Sequence, residues 1–181
     1  MFHITQQERD TTINGKKMKN IKYGLGNIAK NGCGVIATYN VLTALKKGKT
    51  KFDTVLKALR KSKSLLGLGG TKIGGIQKYI ENKGLMVLRF NYLNYSAGAV
   101  AYYSTLTLIE RTANAVIICF NAGSWKDYHY VAGISAGEYS CQFRFYNSTR
   151  VCDAQPRSLS SYLTLLKNSD RLTITILAVY K

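Results

Sequence analysis

The chain has 181 residues, enough for one domain with a substantial core. Apolar residues make up 46%, which excludes a disordered chain, and the longest apolar runs, such as Ala115 to Phe120, are too short to cross a bilayer. The 26 Lys+Arg against 9 Asp+Glu give a net charge of +17, which favours anionic surfaces or partners.

In chain order, residues 1–24 are polar and basic, with Lys16, Lys17, Lys19 and Lys22, and read as a basic N-terminal arm, irregular or holding a short strand. No apolar run follows Met1, so the expected location is the cytoplasm, or outside the cell if a leader has been removed. Gly24 to Asn27 reads as a turn. Beyond it, Val35, Ile36, Tyr39, Leu42 and Leu45 recur at helical spacing and predict a helix over about 34–47, stopped by Gly48. A second helix, capped by Thr50, runs to about Lys63 with Phe52, Val55, Leu56 and Leu59 inward. Residues 65–75 hold five glycines. Thr71 is expected to cap a third helix over 73–83, closed by Gly84, and 85–90 reads as a strand. Residues 97–112 are less regular and fit a helix through Val100, Tyr103, Leu106 and Ile109. The pattern then changes to strands over 115–121, 128–135, 139–146 and 172–180, interrupted by a helix at 159–166 capped by Ser158. Helices followed by an antiparallel sheet predict α+β architecture, in a single domain over 1–181.

The chemistry centres on Asn31-Gly32-Cys33-Gly34, which places Cys33 at a helix N-terminus. First-turn N–H groups and the helix dipole favour thiolate there, and the flanking glycines are expected to leave the sulfur unshielded on one side. The competing reading is an inert buried cysteine. A nucleophile also needs a base, and the base needs an orienting group. His129 opens a strand whose alternation sets His129, Val131 and Gly133 on one face and Tyr128, Tyr130 and Ala132 on the other. A hairpin turning near residue 138 brings His129 within about one residue of Asn147. The Asn147 amide oxygen is expected to accept from one ring nitrogen while the other faces the sulfur. Taken singly, His129 also fits a strand histidine satisfied by its neighbours, and Asn147 ordinary turn chemistry. Taken as a set, a helix-start Cys, a strand-start His about 100 residues later and an Asn at the end of the next strand have the order of a cysteine nucleophile with distant partners.

In that order of motifs the chain resembles papain-like cysteine peptidases over about residues 25–150. Asn31 to Gly34 and the apolar helix behind it are most similar to the bacterial branch that includes the double-glycine leader peptidases. The resemblance implies an α+β papain-like fold, with an N-terminal helical half carrying the nucleophile at a helix N-terminus and packed on a C-terminal antiparallel sheet. It implies a cysteine peptidase or related amide-bond hydrolase that works through an acyl-enzyme thioester, with Cys33, His129 and Asn147 as the triad. In that family an amide side chain before the cysteine, usually Gln, lines the oxyanion hole. Asn27, one methylene shorter, holds the position six residues before Cys33 and would act with the Cys33 N–H. Ser148 follows Asn147 as it often does in papain, and Thr149 replaces the tryptophan that commonly comes next.

Gly69, Gly70 and Tyr128 are candidates for the substrate cleft, the glycines because missing side chains let a peptide backbone lie close; a surface turn is the alternative. No metal or cofactor is expected: the four cysteines show no CxxC spacing, and His3 and His129 are the only histidines. One disulfide among Cys119, Cys141 and Cys152 stays open. The expected partners are a peptide or protein substrate and an anionic partner on the basic surface. Two rivals remain: a non-catalytic basic binding protein on the same fold, and a toxin or effector that transfers an acyl group to a protein partner.

Overall fold

A computed structural model describes residues 12–45, 50–63, 70–92, 99–121, 128–137, 140–147, 155–167 and 174–181. Residues 12–23 hold short strands, one of the two forms expected of this stretch. β1 (Thr12–Ile13) pairs with β2 (Lys16–Lys17) across Asn14 and Gly15, both at positive φ as a two-residue hairpin requires. The chain then makes a 3-10 turn and enters β3 (Lys22–Tyr23), which pairs with β4 (Gly26–Asn27). Met18 and Tyr23 are fully buried, so this basic stretch anchors itself in the core while its lysines face out.

The helical half continues with α1 (Ile28–Asn31), α2 (Cys33–Ala44), α3 (Phe52–Leu59) and α4 (Ile73–Glu81). Two helix starts differ from expectation. Lys51 and Lys72 occupy the N-cap positions of α3 and α4, without side-chain cap bonds, in place of Thr50 and Thr71. Thr71 is drawn inward instead, its hydroxyl paired with Tyr23. Gly48 lies outside the described residues.

The remaining elements are β5 (Met86–Tyr92), α5 (Ala99–Thr112), β6 (Ala115–Asn121), β7 (Tyr128–Ser135), β8 (Phe143–Tyr146), α6 (Leu159–Lys167) and β9 (Ile174–Tyr180). The five strands form one antiparallel sheet in the order β5-β9-β6-β7-β8. β6 and β9 are apolar along nearly their whole length because both of their faces are buried. One face packs on the helical half through Val35, Ile36, Ile76, Ile117 and Leu177. The other packs on α5 and α6 through Leu106, Ile118, Phe145 and Leu163. The architecture is α+β, with the N-terminal helices against a C-terminal antiparallel sheet, and α2 is buried on almost every side between them.

Candidate active site

Cys33 opens α2 because α1 closes one residue earlier. Gly32 N–H donates to the Ile28 carbonyl at 3.0 Å, and the Gly32 carbonyl accepts from Ile36 N–H at 2.9 Å. A Cβ on Gly32 would stand 2.6 Å from the Ile28 carbonyl oxygen, and one on Gly34 would stand 2.9 Å from Thr71 Cβ. The flanking glycines therefore admit close neighbours. They do not leave the sulfur unshielded: Cys33 is 4% exposed. Its Sγ donates to the Tyr128 carbonyl at 3.6 Å.

That burial corrects the thiolate expectation. Main-chain N–H groups of Tyr130, Gly34 and Cys33 itself favour the anion, as the helix-start argument anticipated. Desolvation outweighs them and pushes the Cys33 pKa up to about 11. At neutral pH the resting group is a thiol.

His129 is half-buried on β7 opposite Phe120 of β6, and the two rings lie 5.5 Å apart. Its Nε2 is 2.6 Å from the main-chain oxygen of Asn147. A carbonyl only accepts, so Nε2 carries a proton in this contact. The Asn147 amide points elsewhere: Nδ2 donates to the Tyr130 carbonyl at 2.9 Å. His129 and Asn147 thus meet through the backbone of Asn147, where the sequence had suggested its side chain. The reason is register. Ala132 pairs with Tyr146, so Asn147 follows on opposite Val131, two positions from His129. Asn147 then adopts φ 68°, a left-handed conformation that Asn tolerates, and its carbonyl turns back to the ring.

Asn27 is the N-cap of α1, its Oδ1 accepting from Lys30 N–H at 3.0 Å. The cap engages the oxygen of the amide, while a role in the oxyanion hole would use its nitrogen. Gly70 has φ +72°, and a Cβ there would lie 3.7 Å from the Asn31 carbonyl, which places it beside the segment leading into Cys33. Tyr128 is 40% exposed and supplies the carbonyl that meets the sulfur. Gly69, Ser148 and Thr149 lie outside the described residues.

Three residues around the sulfur carried no functional signal in the sequence. Tyr130 donates its hydroxyl to the Thr71 carbonyl, and Tyr23 shares a hydrogen bond with the Thr71 hydroxyl, both at 2.5 Å. Cys119 stands opposite Tyr130 in the ladder. Burial pushes the Cys119 thiol up to about 12 and raises Tyr130 and Tyr23 above the ordinary phenol range. Strand alternation already set Tyr130 on the face opposite His129, but nothing local tied Thr71 to it.

Cys33, Cys119 and Cys141 are free thiols. Among the described residues no three His, Cys, Asp or Glu side chains gather as metal ligands would, and no helix is long and apolar enough to cross a membrane. No protein-family model and no curated protein matches the chain in sequence. Among solved structures, the chain is similar to a double-glycine motif protease from an AMS/PCAT transporter, determined in complex with the leader peptide. The similarity has 13% identity and a TM-score of 0.47, over 97% of this chain and 95% of that one.

Proposed function

We propose that the chain is a papain-like cysteine hydrolase of peptide or protein amide bonds, with Cys33 as nucleophile, His129 as base and Asn147 as the residue that orients the ring. One observation carries the reading. The Cys33 sulfur contacts the carbonyl of Tyr128, the residue next to a histidine whose Nε2–H is already committed to Asn147 O. That commitment leaves Nδ1 as the basic nitrogen.

In the proposed mechanism Nδ1 takes the thiol proton as sulfur attacks the substrate carbonyl. The Cys33 N–H and the Asn27 amide nitrogen hold the oxyanion, each donor contributing about 3 kcal/mol. The imidazolium gives its proton to the leaving amine, and the neutral imidazole that remains takes a proton from the water that hydrolyses the thioester. Tyr128 and the glycines at 69 and 70 border the bound peptide. Incubation with a peptide library tests this: cleavage is expected from the wild type and lost in Cys33→Ala and in His129→Ala. Cleavage that survives either substitution defeats the proposal.

The burial of the sulfur favours a second reading, a non-catalytic binding protein in which Cys33 is a core residue. It requires an anionic partner to be retained unchanged by Cys33→Ala.

A further inference from the structure

The positive charge is not spread evenly. Residues 12–85 hold sixteen Lys+Arg against two Asp+Glu, while residues 86–181 hold nine against five. A cavity of about 520 Å³ opens within the charged half, between the β1–β2 hairpin, the turn that follows it and α3. Lys16, Lys22 and Arg60 line it, and Arg60 is tethered by a hydrogen bond from Nη2 to the Lys22 carbonyl at 3.3 Å. Ile13, Ile21 and Leu56 supply apolar surface at its base. Asp53 is the one carboxylate of the lining among the described residues, and Asn14 Nδ2 donates to it at 2.8 Å.

We propose that this cleft docks an acidic peptide segment, its carboxylates on Lys16, Lys22 and Arg60 and its apolar side chains against Ile13, Ile21 and Leu56. Three cations against one carboxylate give the charge complementarity, and the apolar base gives a use for side chains that a phosphate backbone lacks. Nucleic acid fits less well. Among the described residues the lining holds no aromatic ring on which a base could stack, and Asp53 interrupts a continuous line of phosphates. A peptide can set an amide or a cation at that position. Cys33 plays no part in the site, so the proposal stands apart from the hydrolase reading.

The test uses the full chain and the fluorescence anisotropy of a fluorescein-labelled peptide alternating Glu and Leu. Binding is expected to weaken about tenfold or more in Lys16→Glu/Lys22→Glu/Arg60→Glu. The control Lys72→Glu/Lys78→Glu/Lys83→Glu, which changes net charge equally, is expected to shift it by about twofold. Should the reversed cleft unfold by circular dichroism, the milder Lys16→Gln/Lys22→Gln/Arg60→Gln takes its place, with the matching Gln control. Equal losses in cleft and control variants overturn the proposal in favour of bulk charge. Tighter binding of an oligothymidylate of equal charge overturns the peptide assignment, as does undiminished binding of the Gln/Leu version of the peptide.

Discussion

Asn147 places its carbonyl against His129 only because its backbone enters the left-handed region, and its side chain holds it there through Tyr130. Asn147→Ala forfeits both features and is expected to destabilise the fold by about 2–3 kcal/mol in urea titration. Asn147→Gly keeps the backbone and forfeits only the amide bond, so about 1 kcal/mol is expected. In the proposed hydrolase, Gly should also retain more peptide cleavage than Ala; equal losses would return the orienting role to the side chain. For Gly34→Ala, a methyl 2.9 Å from Thr71 Cβ and 3.1 Å from Ile76 Cδ1 should cost about 1–3 kcal/mol, read as a lower melting temperature. Iodoacetamide labelling of Cys33 should be slow at neutral pH and climb toward a midpoint of about 11. A midpoint near neutrality would show that the imidazole already takes the proton at rest.

Among the elements, the long apolar strands were the most legible, and β6 and β7 fall where their residues place them because side-chain periodicity is a local property. The cap on α6 was legible for the same reason: Ser158 Oγ accepts from Ser161 N–H at 3.1 Å. Ser158→Ala should lower stability by about 1 kcal/mol, measurable as a shift in melting temperature. Features that depend on distant partners were not legible. Thr71 looks like a cap, yet its hydroxyl is claimed by Tyr23 from 48 residues away. Four lysines between residues 16 and 22 hid the inward set of Met18, Ile21 and Tyr23. At Cys33 the helix-start contribution could be read from the sequence. The larger opposing contribution, desolvation, comes from the surrounding core and has no local signature.

At the scale of the molecule, two buried thiols make the fold sensitive to alkali. Cys33 and Cys119 remain protonated in the native state to about pH 11 and about pH 12, above their ordinary value of 9.0. As pH rises past 9.0 the unfolded chain ionises first and is favoured. Stability should hold below that pH and fall across the windows up to those native values, by about 3 kcal/mol for Cys33. Urea midpoints at about pH 8 and about pH 10.5 test this, and Cys33→Ala or Cys119→Ala should flatten the decline. The placement of β9 has a further bearing on how the protein is made. It lies between β5 and β6 and gives β5 its only ladder partner among the described strands, yet it follows both in the sequence. A ribosome that has finished the cysteine-bearing half still holds back the strand that joins the sheet's two parts. The nascent chain therefore keeps β5 and β6 unjoined, their edges open to other pairings, until β9 has emerged.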